Sequence, residues 1–140
     1  MAEALYFEDV VVGATAESPG QTLTEADVLQ YQGLTGDWGS GASDASAGVI
    51  PDLLAVSVSS GLTWRFPKPP LEILAFRGVE WQFFQPIRVG DTIRCRATTV
   101  AKRAAPDGGV MVEQREVLNQ RNEVVQSGRV TYLVAGRPSP

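Results

Sequence analysis

The sequence predicts an α+β domain in which an antiparallel sheet wraps around one long central helix. Three observations predict it. The stretch from Leu53 to Trp64 is almost wholly apolar or small, at helical length, and Pro67, Pro69 and Pro70 stop it. The chain beyond it alternates like β-strand and is cut by turn signals. At 140 residues the chain is long enough for one domain with its own core. An antiparallel sheet must cover one face, and the apolar helix is the available cover.

The elements follow in order. Tyr6 to Val10, then Val12-Gly13, reads as an entry segment ending in a turn. Ala14 to Thr22 reads as a first strand, interrupted near Pro19-Gly20. Thr24-Glu25-Ala26-Asp27 is a helix start: the Thr24 hydroxyl can cap a free N–H while the Asp27 carboxylate reaches back. That helix continues through Leu34, weakened by Gly33 and ended by Gly36. Asp37 to Gly48 is rich in Gly, Ser, Ala and Asp and reads as a loop. Pro51 suits the first turn of the second helix, with Asp52 favourable near the positive end of its dipole. A helix apolar on most faces is expected to be buried on most faces. Strands follow at Ile73 to Phe84, Thr92 to Arg103, Val110 to Leu118 and Glu123 to Val134, as an antiparallel meander. Its turns lie at Val89-Gly90-Asp91, Pro106-Asp107-Gly108-Gly109 and Asn119 to Asn122. Gly136 to Pro140 reads as a frayed tail. No repeat or linker divides the chain, so residues 1–140 form one domain with a core over about 5–135.

Composition excludes several functions. The net charge is −4 and there is no basic run, which argues against nucleic-acid binding. A local basic cluster such as Lys102-Arg103 either meets an anionic ligand or is a solvated strand end, and it reads as the latter. No apolar run approaches the ~20 residues that span a membrane, and the acidic N-terminus lacks a signal-peptide pattern. A soluble cytoplasmic protein is expected. Cys95 is the single cysteine, so no intrachain disulfide or multi-cysteine metal site can form. Its place between Arg94 and Arg96 in an alternating stretch reads as a buried thiol rather than a nucleophile. The chain contains no histidine, which removes imidazole as general base and as metal ligand. Any chemistry falls to carboxylates, hydroxyls and backbone dipoles.

Several motifs in order resemble the MaoC-like hotdog family of acyl-thioester hydratases and dehydratases, over residues 5 to 135. They are Phe7-Glu8-Asp9-Val10-Val11-Val12-Gly13, Thr24-Glu25-Ala26-Asp27 through Leu34-Thr35-Gly36-Asp37, Ser60-Gly61-Leu62, Phe84-Gln85-Pro86-Ile87-Arg88-Val89-Gly90-Asp91-Thr92, and Val117-Leu118-Asn119-Gln120 with Glu123-Val124-Val125. The resemblance implies a hotdog fold, a homodimer with a continuous sheet, an acyl-CoA or acyl-carrier-protein thioester as substrate, and no cofactor or metal. It also exposes departures. Asp37 and Asp44 match the two aspartates of the family's catalytic loop, but Gly39 and Ser40 stand where Asn-Pro would be. Ala42 stands where the catalytic histidine would be. The segment from this loop to the central helix is shorter than the family's. Asp52 takes the place of a glycine whose N–H polarises the thioester carbonyl.

The candidate residues follow from that match. Asp37 is either the general base or a loop carboxylate accepting backbone N–H bonds. Asp52 is either a helix-start carboxylate or a second carboxylate beside Asp37, which would supply an acid and a base from one residue type. Ser60 either orients the reacting group or permits close packing. Trp38 and Trp64 either line an acyl pocket or belong to the core. The free N–H groups near Leu53 and Leu54 can stabilise a thioester enolate. The expected reaction is addition or elimination at the α–β bond of a 2-enoyl or 3-hydroxyacyl thioester, with water or an amine as nucleophile. Two alternatives stay open: a non-catalytic hotdog subunit or acyl-binding partner of a complete dehydratase, in a heteromer, and an acyl thioesterase using a carboxylate such as Asp52.

Overall fold

The computed structural model describes residues 3–38 and 48–140. The expected first strand is split by Pro19-Gly20 into β1 (Thr15–Glu17) and β2 (Gln21–Thr22). Helix α1 (Glu25–Thr35) starts at the reciprocal cap that its sequence encodes. Thr24 Oγ1 accepts the Asp27 backbone N–H at 3.2 Å, and Asp27 Oδ2 accepts the Thr24 N–H at 2.8 Å. It ends at Gly36, where φ is +70°, a left-handed conformation that glycine adopts without a Cβ clash. Helix α2 (Asp52–Leu62) has Pro51 as its N-cap, and one 3-10 turn (Thr63–Arg65) tightens its end before the prolines.

Four long strands complete the fold: β3 (Ile73–Phe83), β4 (Thr92–Ala105), β5 (Gly108–Leu118) and β6 (Val124–Ala135). The sheet runs β1-β4-β5-β6-β3, antiparallel throughout, with β2 also on β4. The expected meander holds from β4 to β6. β3 departs from it: although it precedes β4 in the chain, it pairs with β6 at the far edge. Gly128 permits this pairing. A Cβ there would sit 2.0 Å from the Glu80 carbonyl oxygen and 2.5 Å from the Trp81 ring, so only glycine lets β3 approach β6.

The core lies between the inner sheet face and one side of α2. Leu54, Ala55 and Leu62 meet Ile93, Cys95, Ala97, Val117 and Val125. Inward positions alternate along β4 and β5, as a half-buried strand requires. Cys95 is fully buried, and its backbone N–H donates to Ser18 Oγ at 2.9 Å. Two expectations are overturned. Helix α2 is not buried on most faces: Leu53 is 56% exposed, and Ser57 and Gly61 also face out, because one sheet can cover only one side of a helix. The tail is tied rather than frayed at Gly136 and Arg137. The Gly136 N–H donates to the Asp107 carbonyl at 2.8 Å, the Arg137 N–H donates to Glu8 Oε1 at 2.8 Å, and the Arg137 guanidinium pairs with the Asp9 carboxylate.

Burial pushes the Cys95 thiol up to about 12, against a smaller lowering by Arg115. The folded value lies above the unfolded one. The stabilisation is therefore complete below the unfolded value near 9 and is lost as pH rises toward 12. The midpoint of urea unfolding is expected to fall progressively above pH 9, and Cys95→Ala to flatten part of that fall. At pH 8 the native thiol is expected to resist Ellman's reagent and to react once urea unfolds the chain; rapid native reaction would contradict its burial.

Candidate functional site

The end of α1 builds a compact polar arrangement. Because Gly36 turns the chain back on itself, Asp37 returns toward the helix it has just left. Tyr31 Oη donates to Asp37 Oδ2 at 2.7 Å. Thr35 ties the two together: its hydroxyl donates to the Tyr31 carbonyl at 2.7 Å and accepts the Asp37 N–H at 3.0 Å. Asp37 and Tyr31 are both half-buried, and the Tyr31 ring packs on the main core cluster. Burial first, then the bond to Asp37, raises the Tyr31 phenol above its ordinary value of 10.0. Tyr31 was read from sequence only as a helix residue. The signal was available in the spacing Tyr31, Thr35, Gly36, Asp37, where a left-handed cap folds a carboxylate back one turn.

The start of α2 is fixed from the sheet. Gln126, 1% exposed, accepts the Trp81 indole N–H at 3.0 Å and donates to the Asp52 carbonyl at 3.4 Å. It therefore links β3 to the first residue of α2. The Asp52 side chain is exposed in the first helical turn, where a carboxylate suits the dipole. Leu53 follows it in the turn whose N–H groups have no acceptor within the helix.

Ser60 sits at the other end of α2. With Thr63, Trp64, Ile73, Phe76 and Tyr132 it lines a groove of about 270 Å³ between the helix end and β3. The Thr63 hydroxyl donates to the Ser60 carbonyl at 2.7 Å. The core reading of Trp38 and Trp64 is overturned, since they are 60% and 68% exposed, and Trp81 is the tryptophan that packs inside. The groove continues into a smaller cavity of about 40 Å³, lined by Phe66, Lys68, Glu113 and Arg115, which shares Thr63, Trp64, Ile73 and Tyr132 with it. Arg115 Nε lies 2.8 Å from Glu113 Oε1, and the two side chains are 3% and 6% exposed. Sequence reasoning missed this pair, although both residues share the inward parity of Met111 and Val117 on β5.

The loop positions Gly39, Ser40, Ala42 and Asp44 lie outside the described residues. Among the described residues, no group of three or more His, Cys, Asp or Glu side chains could hold a metal ion. No described helix is long and apolar enough to cross a membrane.

An antiparallel sheet packed on a central helix defines a hotdog domain, here with a carboxylate folded back at the end of the preceding helix. No family model matches the chain. It is 31% identical over 106 residues to Protein MaoC of Klebsiella aerogenes, covering 69% of this chain and 31% of that protein, so the match spans about a third of that relative. Among solved structures it resembles an Archaeoglobus protein described as a monoamine oxidase regulatory protein, with a TM-score of 0.85, 26% identity and 99% of both chains covered. It also resembles the (R)-hydratase PhaJ1 of Pseudomonas aeruginosa, with a TM-score of 0.77, 18% identity, and 97% and 89% of the two chains covered. The chain belongs to the MaoC-like hotdog family, in which hydratases and dehydratases occur, and it does so without a single histidine.

The Tyr31–Asp37 bond predicts a spectroscopic signature. In a difference titration at 295 nm between the parent and Tyr31→Phe, the phenol absent from the variant is expected to ionise above pH 10. Ionisation at or below 10 would contradict both its burial and its carboxylate partner.

Proposed function

We propose that the chain acts on acyl thioesters at the α–β bond, as a 2-enoyl hydratase or 3-hydroxyacyl dehydratase does, with Asp37 as the proton-moving carboxylate. The observation that carries this reading is the 2.7 Å bond from Tyr31 Oη, which orients a carboxylate standing at the family's catalytic position. The acyl portion occupies the groove beside Ser60, Thr63 and Trp64. In the addition direction a lone pair of the nucleophile forms the bond to the β carbon. The α–β π electrons move toward the carbonyl as an enolate. Asp37 takes the proton the nucleophile sheds and returns it to the α carbon. Elimination is the reverse. A general base contributes about 10²–10⁴-fold in rate, so losing imidazole favours a nucleophile better than water, such as an amine.

Assembly belongs to this reading. Leu53 on α2, Leu74, Phe76, Val79 and Phe83 on β3, and Phe84 just after it are each 45% exposed or more, and among the described residues β3 is a sheet edge with one side unpaired. An apolar free edge calls for a second strand. We propose that a second copy of the chain supplies it, as a homodimer. A second functional reading, an acyl-binding subunit beside a catalytically complete hotdog partner, is favoured by the absence of histidine together with the same open edge.

Asp37→Asn is expected to lower kcat/KM on 2-enoyl thioesters at least 100-fold while leaving the thermal unfolding midpoint within a few degrees; full activity in the variant would sink the assignment. Sedimentation equilibrium at micromolar concentration is expected to give twice the 15.0 kDa chain mass, and Val79→Arg to give the single-chain mass. A monomeric parent would contradict the proposed pairing. Robust turnover by the pure chain would exclude the non-catalytic reading.

A further inference from the structure

The buried ion pair beside the acyl groove has chemistry to spare. A guanidinium carries five N–H donors, and one carboxylate in fork geometry takes two of them. Glu113 is the one hydrogen-bonding residue Arg115 finds among the described residues, while the Tyr132 ring lies 5.4 Å from its central carbon. Among the described residues, the buried side-chain polar atoms lacking a partner belong to Gln32 and not to Arg115. The remaining Arg115 donors are therefore not sealed in the protein, and the space they reach is the 40 Å³ cavity that Arg115 lines. Lys68 lines the same cavity, its ammonium 5.7 Å from the Phe66 ring.

The charges lining the cavity are one carboxylate, Glu113, and two cations, Arg115 and Lys68, for a net charge of +1. That balance suits one monoanion. A planar fork beside a point cation matches a carboxylate. About 10–15 Å³ of such space already holds one water molecule, so the cavity takes a few heavy atoms. A phosphate dianion would meet Glu113 with unbalanced charge. The walls leading in are apolar at Trp64, Ile73 and Tyr132, as methylene groups require, and they are shared with the groove.

We propose that this cavity receives a carboxylate at the far end of the substrate's acyl chain, so that the chain's substrates are thioesters of dicarboxylic acids. The inference rests on the reading of the groove as the acyl site. Arg115 binds the ω-carboxylate, Lys68 closes the mouth, and Glu113 holds the guanidinium in place while excluding more highly charged anions.

The test uses saturated thioesters, which need no turnover, and measures binding to the full chain by isothermal titration calorimetry. Adipyl-N-acetylcysteamine, with its free ω-carboxylate, is expected to bind at least tenfold tighter than hexanoyl-N-acetylcysteamine. In Glu113→Gln/Arg115→Met, which keeps the volume and removes both charges, that advantage is expected to vanish while hexanoyl binding persists. Should that double variant fail to fold, Lys68→Glu at the exposed mouth is expected to weaken the adipyl thioester about tenfold and leave the hexanoyl thioester unchanged. Equal affinity for the two thioesters in the parent, or an advantage that survives both variants, would overturn the proposal, as would inorganic phosphate binding as tightly as adipate. If neither thioester binds but free adipate binds in an Arg115-dependent way, the acyl-thioester reading fails and the carboxylate site stands. If adipate fails as well, the carboxylate site falls.

Discussion

One sheet can bury only one side of a helix, and α2 carries apolar side chains on more than one. That constraint organises the molecule. Leu54, Ala55 and Leu62 are spent on the inner face of β4 to β6, where each large apolar side chain removed from water contributes about 1.5–3 kcal/mol. Leu53 is left facing out, and so are Leu74, Phe76, Val79 and Phe83 of β3, the strand at the end of the sheet. The groove that holds Ser60, Thr63 and Trp64 runs between the end of α2 and β3. Gln126 ties the two elements, since one buried amide holds both Trp81 on β3 and the first carbonyl of α2. A site formed this way is a by-product of incomplete coverage, and its walls belong to the same residues that a second chain would cover.

The acidic end of the site has a different, local origin. The cap at Thr24 and Asp27 fixes where α1 begins, the stop at Gly36 fixes where it ends, and eleven residues between them place Tyr31 one turn before the exit. The helix that Asp37 follows supplies the phenol that donates to it. The phenol is a neutral O–H donor to that carboxylate, and burial together with this bond keeps its proton above the ordinary value of 10.0.

Much of the fold was legible because the signals were local. The split at Pro19-Gly20, the reciprocal cap, the proline stop and the three hairpin or turn positions each depend on a few adjacent residues, and the structure puts elements there. What was not legible depended on pairing across the chain. β3 reads like the first strand of a meander, and only Gly128, a residue on another strand, shows where it docks. The apolar length of α2 showed that it packs but not on how many sides. The tail looked unconstrained because its partners, Glu8 and Asp9, lie at the opposite end of the sequence. Asp37 drew attention as a candidate through its motif, whereas the Tyr31 bond to it and the burial of the Glu113–Arg115 pair required geometry. Trp38 and Trp64 followed the general rule for aromatics and broke it, because the rule presumes a closed core.

The Glu113–Arg115 pair is the least economical feature of the core. Desolvating two charges costs several kcal/mol per ion, and well-packed apolar residues in their place are commonly neutral or stabilising. The inward row of β5 is otherwise Met111 and Val117, and continuing that row with aliphatics would have been the simpler core. Folding alone therefore does not account for two charges under the end of α2. Nor does a surface role, since the pair is almost sealed from bulk water. What remains is its position: it stands where the apolar groove narrows into a cavity, with Tyr132 against the guanidinium and a lysine at the rim. A costly polar group kept beside an apolar groove is what recognition of a polar terminus requires, because an unpaired carboxylate entering such a groove would otherwise lose its hydration with nothing in exchange.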